Sequence, residues 1–142
     1  MMSKRTDELD FELKNSYDVH TYMADNEVEF DDSKFLGFLN GLIAGSGKSK
    51  TKIATDACIS EPYLYNILRA DKHPTRKSVI KLSFGLGLDV ETTERLLMLA
   101  GYSGFYVRNK RDALLQFACQ SNMSTMEADS LLSQYGLSLA GE

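Results

Sequence analysis

Residues 57–75 read ACISEPYLYNILRADKHPT, and this stretch decides the fold. Ser60 is placed to cap a short helix, and Pro62 fits its first turn because no intrahelical partner awaits the missing N–H. Leu64, Ile67 and Leu68 fall on one face, and Tyr63, Tyr65, Asn66 and Arg69 fall on the polar side. Pro74 stops any continuation. The helix therefore has one face for a core and another that looks built to touch something. It also opens on Glu61, a carboxylate at the end nearest any partner.

Upstream, Ser49 caps a helix of under three turns whose Ile53, Ala54 and Ala57 face inward. Two short helices joined by a tight turn, with a small residue early in the first, form a helix-turn-helix. Aligned as a twenty-residue unit from Lys50 to Arg69, Ile53, Ala57, Ile59, Leu64 and Ile67 take the buried positions. Ala54 falls where the two helices approach most closely.

The rest of the chain has helical rather than strand periodicity. SKFLGFLNGLIAGSG, from Ser33, puts Phe35, Leu36, Leu39, Leu42 and Ile43 on one face, with Ser33 as cap and Gly45 or Gly47 as terminator. TRKSVIKLSFGLGL buries Val79, Ile80, Leu82 and Phe84 and ends at Gly87. DVETTERLLMLAGY buries Leu96, Leu97, Leu99 and Ala100. RNKRDALLQFACQSN and STMEADSLLSQYG add two more helices, the last opened by a Ser124–Glu127 capping box. The expectation is an all-α bundle of seven helices with short links.

At this point the sequence resembles a known family. Residues 33–100 look like the phage-repressor-like (Xre-type, lambda-repressor-like) helix-turn-helix regulators. The resemblance rests on KTKIATDACISEPYLYNILRADKHPTRKSVIKLSFGLGL, with Ser60, Tyr63 and Leu64 at the family's usual start of the recognition helix. RADKHPT is similar to its Arg-Gly-x-x-x-Pro-Ser loop. A weaker likeness to certain bacterial regulators of this class runs through GYSGFYVRNKRDALLQFACQSNMS. Two residues depart from the pattern. Cys58 stands at the turn position usually held by Gly, so a slightly rearranged turn is expected. Leu68 stands where an acidic residue is common.

The resemblance implies a bacterial or phage-type cytoplasmic transcriptional regulator that binds double-stranded DNA, as a homodimer if two half-sites lie one helical turn apart. The expected organisation is an acidic N-terminal arm (1–32), a helix-turn-helix domain (33–100) and a C-terminal extension of two helices packed on it (101–142). In such a module the N-terminal half of the second helix meets base edges. Tyr65 and Asn66 are the candidate readers, Asn66 by pairing with adenine and Tyr65 by meeting a thymine methyl. Glu61 either accepts from the amino group of cytosine or simply favours the helix dipole at a well-made start. Lys50, Lys52, Tyr63, Arg69, Lys72, His73, Arg76 and Lys77 are the candidate phosphate contacts. Arg108, Lys110 and Arg111 form a second basic group, read as a helix start and loop anchor. Phe105, Tyr106, Leu114, Leu115 and Phe117 are either dimer interface or core.

Charge and composition set the frame for partners. The 142 residues carry a net charge of -4, with 43% hydrophobic and 25% charged residues. Residues 1–32 hold three basic and ten acidic residues, a net of -7, whereas 46–81 hold eight basic and three acidic, a net of +5. An acidic arm tethered to a basic segment either competes with DNA or packs as a permanent helix through Leu9, Phe11, Leu13, Tyr17 and Tyr22. The overall acidity also keeps open a protein-interaction module on the same fold that no longer reads DNA, and hence a protein partner. No apolar run spans a membrane, and the N-terminus has no secretory h-region. Cys58 and Cys119, both in apolar company, read as buried free thiols of a reducing compartment. No cofactor, metal site or enzymatic activity is expected. GSGKSKT (45–51) has a phosphate-loop look but lacks the first Gly and a preceding strand, and His20 and His73 lack catalytic or metal-binding companions.

Overall fold

A computed structural model describes residues 32–139, which form seven α-helices and no strand. The acidic arm, Asp32 apart, lies outside the described residues. The helices are α1 Ser33–Ser46, α2 Lys50–Ala57, α3 Glu61–Leu68, α4 Arg76–Leu86, α5 Val90–Leu99, α6 Lys110–Gln120 and α7 Thr125–Ser133. From Lys34 onward they belong to one unit, Lys34–Glu142, so the two C-terminal helices share the body of the first five.

Local chemistry explains the boundaries. Ser49, Ser60, Thr75, Asp89, Asn109 and Ser124 each cap a helix by accepting a backbone N–H in its first turn. The last is a full capping box, with the Glu127 carboxylate returning to the Ser124 N–H at 2.9 Å. Helix α1 runs through Ser46 and stops at Gly47, which takes φ +72. The caps expected at Ser49, Ser60 and Ser124 are in place, and Thr75, Asp89 and Asn109 add three that were not expected; α1 includes Ser33 rather than starting after it.

The apolar faces meet in one core. Phe35 and Leu39 of α1, Ile53 and Ala57 of α2, Leu64 and Ile67 of α3, Val79 and Leu82 of α4, and Leu96 and Leu97 of α5 are all essentially inaccessible. Leu115 and Ala118 of α6 and Ala128 and Leu132 of α7 extend that core. Ile59, Leu68 and Leu99, expected inside, are only half-buried and pack on its edge. Of the five apolar residues read as interface or core, Leu115 is core, Phe105 and Leu114 are half-buried, and Tyr106 and Phe117 are exposed.

Helices α2 and α4 cross at closest approach where Gly85 meets Ala57. A Cβ on Gly85 would lie 2.8 Å from the Ala57 Cβ and from its backbone nitrogen, so only glycine fits. Lys48 reinforces this crossing from the α1–α2 link, donating to the Gly85 carbonyl at 2.9 Å and to Asp56 at 3.0 Å. Thr125, buried at the start of α7, donates to the Asp56 carbonyl at 2.7 Å and ties the extension to α2.

The turn between α2 and α3 is three residues, 58–60, and it corrects two expectations. Cys58 is exposed rather than buried. It also adopts the left-handed conformation itself, φ 60 and ψ 40, so the turn is kept rather than rearranged. The Cys58 N–H returns to Thr55 at 3.1 Å and the Ile59 N–H to Ala54 at 3.0 Å, which satisfies the orphan carbonyls of α2. Ala70 is a second non-glycine in the same region, φ 62, just after α3. A side chain in this region costs about 1 kcal/mol. Cys58→Gly is therefore expected to stabilise the protein by about 0.5–1 kcal/mol, part of the gain being offset by the freer unfolded chain. Urea unfolding measures it, and an unchanged or lower midpoint would mean that the Cys58 side chain makes compensating contacts. Cys119 is the buried thiol, donating to the Leu88 carbonyl at 3.2 Å, and burial pushes its pKa up.

Candidate nucleic-acid interface

Helix α3 leaves one side open. Leu64 and Ile67 anchor it inward, and the opposite face carries Tyr65, Asn66 and Arg69. Lys50, at the start of α2, places its ammonium 5.6 Å from the centre of the Tyr65 ring. The Arg69 guanidinium donates to the Asn66 amide oxygen at 2.7 Å and to Asp71 at 3.2 Å. The Asn66 carbonyl then accepts from the backbone of Asp71 and Lys72 at 2.9 and 3.2 Å, fixing the exit loop to the helix. Lys50, Tyr65, Asn66, Arg69 and Lys72 thus form one connected surface.

Glu61 answers to the fold. Its carboxylate accepts from the Thr51 hydroxyl at 2.8 Å, so it staples the start of α3 to the first turn of α2. The group occupies the favourable end of the helix dipole. This local role satisfies one carboxylate oxygen without any outside ligand.

Two members of the phosphate set make contacts within the protein, half-buried Tyr63 and exposed His73. Tyr63 is half-buried, and its hydroxyl donates to Ser78 at 3.1 Å, where Thr75 also donates at 2.9 Å. The His73 ring is 2.8 Å, through Nε2, from the Ala100 carbonyl and stands between Phe35 and Tyr102, with ring centres at 6.3 and 5.9 Å. The Tyr102 hydroxyl donates to the Pro74 carbonyl at 2.7 Å, and burial raises its pKa. Together they pin the 69–75 loop to the end of α5.

Arg76 is the clearest departure. Its guanidinium grips both carboxylate oxygens of Asp112, at 3.0 and 2.9 Å, and donates to the carbonyls of Ser103 and Gly104 at 3.3 and 2.8 Å. Asp112 is buried and also accepts from the Tyr106 N–H at 2.9 Å. A guanidinium with its donors so engaged has little left for phosphate, so Arg76 leaves the phosphate set. Position at a helix start suggested an anion site; the partner lies 36 residues away and has no local signal.

Of the remaining cations, Lys52 pairs with Asp56 at 3.1 Å and is still largely exposed. Asp56 receives Lys48 and Lys52 together, and those hydrogen bonds hold its carboxyl below the ordinary carboxylate range. The pairing is therefore present above that range and is lost only as pH falls through the lowered value. Lys50 and Lys72 are exposed, and Lys77 is half-buried in the first turn of α4. Among the second basic group, Lys110 opens α6 and lies over the Tyr135 ring at 5.4 Å, matching the expected anchoring role.

Among the described residues no three His, Cys, Asp or Glu side chains cluster as metal ligands, and no helix is long and apolar enough to cross a membrane. Comparison with protein-family models, with curated proteins and with solved structures finds no match.

Proposed function

We propose that this chain is a helix-turn-helix regulator that binds double-stranded DNA through α3. One observation carries the reading. Helix α3 is held on α2 by a three-residue turn with a left-handed first residue, and its open face presents Tyr65, Asn66 and Arg69 flanked by Lys50 and Lys72. A helix of this length, anchored on one side and polar on the other, suits the major groove. The resemblance of residues 33–100 to phage-repressor-like regulators supports the same reading and adds transcriptional control. In a dimer, two such helices would meet half-sites about 34 Å apart.

In this reading Lys50, Lys72 and Arg69 contact phosphate and Tyr65 and Asn66 meet bases. Asn66 offers an amide whose oxygen is already oriented by Arg69. Reading adenine requires that oxygen and the amide nitrogen together, so Arg69 must swing from Asn66 toward the backbone on binding. The test begins with a duplex selected from a random pool by the full chain. Asn66→Ala is expected to weaken binding to that duplex by about 1–3 kcal/mol and to leave binding to random duplex nearly unchanged. Fluorescence anisotropy with both duplexes measures the difference. Equal losses on both would remove Asn66 from the readers, and failure to select any duplex would remove the function.

A second reading is favoured by the carboxylates that pair with these cations. Asp71 takes Arg69, and Asp56 takes Lys48 and Lys52, so much of the positive charge is answered within the protein. A surface of that kind suits a protein partner that contacts the Tyr65 side of α3. Capture of a protein but not of duplex through this face, lost on Tyr65→Ala, would establish it over the first.

A further inference from the structure

We propose that the outer face of α6 and α7 is a self-complementary surface that pairs two copies of this chain about a two-fold axis. Residues 113–139 contain only two charged side chains, Glu127 and Asp129, in a chain that is 25% charged. Asp129 is engaged within the chain, accepting from the Leu139 N–H at 2.8 Å and the Ser138 hydroxyl at 3.5 Å. In place of charge the face exposes Phe117, 53% accessible, and Tyr135, 50% accessible. Exposed aromatic residues on a surface depleted of charge have the composition of an interface centre.

Helix geometry gathers these side chains into one strip. Lys110, Leu114 and Phe117 follow one another at the four- and three-residue spacing of a single face of α6. Glu127, Leu131 and Tyr135 do the same at four-residue spacing along α7 and the turn that ends it. The Lys110 ammonium lies 5.4 Å from the centre of the Tyr135 ring and 3.4 Å from its carbonyl oxygen. The start of α6 therefore meets the end of α7, and the two helices run antiparallel. The strip opens on Lys110 and Tyr135, carries half-buried Leu114 and Leu131 in its middle, and closes on Phe117 and Glu127.

The placement of charge selects the occupant. A face of one sign would repel its own copy, but this strip is positive at one end and negative at the other. A two-fold axis through its middle brings opposite ends together. Lys110 and Tyr135 of each copy then meet Glu127 and Phe117 of the other, so every contact is made twice. Glu127 can take part because the Ser124 N–H uses only one of its carboxylate oxygens, at 2.9 Å. The strip is about 16 Å long and roughly 20 Å across two helices, smaller than the standard patch of about 800 Å² per partner, so the dimer is a weak one. None of these residues belongs to α2 or α3, so the pairing stands whether or not α3 touches DNA.

Sedimentation equilibrium of the full-length chain without DNA, at about 0.1 M salt, tests the pairing. A reversible dimer with a Kd of about 10–100 µM is expected. Phe117→Gln, an exposed position, should weaken it at least about tenfold. Lys110→Glu and Glu127→Lys should each weaken self-association at least about tenfold, because both end-to-end pairs become repulsive. Mixed in equal amounts, these two charge variants should associate about as tightly as the wild type, because both pairs are then of opposite sign again. Melting curves establish that each variant is folded. If Glu127→Lys is not, Glu127→Gln, which keeps the capping box, replaces it in the mixture and restores one pair of the two. A chain still monomeric at about 500 µM overturns the proposal. So does a dimer indifferent to Phe117→Gln, or a mixture of the charge variants that associates no better than either alone.

Discussion

Asp112→Ala is expected to lower stability by about 3 kcal/mol and the melting temperature by about 10 °C or more. The carboxylate is buried, with 9% of its side chain exposed, and the Arg76 side chain is 27% exposed. Removing Asp112 leaves the guanidinium partly desolvated with no counter-charge and also strips the Tyr106 N–H of its acceptor. The remaining exposure of Arg76 lets water relieve some of this, which places the effect at the lower edge for broken buried pairs. Arg76→Ala should destabilise by a similar amount, since it strands Asp112 and frees the carbonyls of Ser103 and Gly104. The double variant should lose less than the sum of the two, because the second change removes the stranded charge. Urea unfolding of the three variants checks this directly. If Arg76→Ala left stability intact and instead reduced the salt dependence of DNA binding, Arg76 would return to the phosphate contacts.

That ion pair marks the limit of what the sequence discloses. Helix ends are local events. Ser49, Ser60 and Ser124 sit beside the N–H groups they cap, so residue type and spacing suffice to find them. Inward faces follow from the same periodicity, and Phe35, Ile53, Leu64, Val79 and Leu96 all lie where the pattern puts them. The partner of a polar side chain obeys no such rule. Arg76 stands at a helix start, where position alone suggests an anion site, yet a carboxylate from α6 takes it. His73 reads as a loop cation, but Phe35, Tyr102 and the Ala100 carbonyl convert it into a clamp. Lys48 drew no reading from the sequence, yet from the α1–α2 link it bridges α2 and α4 through Asp56 and Gly85. Cys58 shows the converse. Its position in the pattern was informative and its identity was misleading, because the backbone bonds of the turn hold it left-handed despite its side chain.

Lys50→Ala combined with Lys72→Ala is expected to weaken binding to every duplex by about 50- to 100-fold at 0.1 M salt. Each phosphate contact contributes a slope of about 0.9 to the dependence of log affinity on log salt, so losing two should flatten it by about 1.8. The choice rests on what the fold leaves available. Arg76, His73 and Tyr63 are engaged by other groups of the protein, and Lys52 and Arg69 each share their charge with an aspartate. Lys50 and Lys72 are exposed at either end of the α3 surface, one over Tyr65 and the other fixed by its backbone to Asn66. They therefore bracket the helix as phosphate contacts should bracket a groove. With Lys77 added, and with Lys52 and Arg69 counted at part charge, a wild-type slope of only about 3 to 4 per protomer follows, shallower than the roughly 5.4 that all six Lys and Arg candidates would give. Anisotropy titrations from about 50 to 300 mM salt on selected and random duplexes measure both quantities. An unchanged slope in the double variant would exclude these lysines as phosphate contacts. A wild-type slope of about 4.5 would mean that binding opens Arg69–Asp71 and Lys52–Asp56 and spends those cations fully on the backbone.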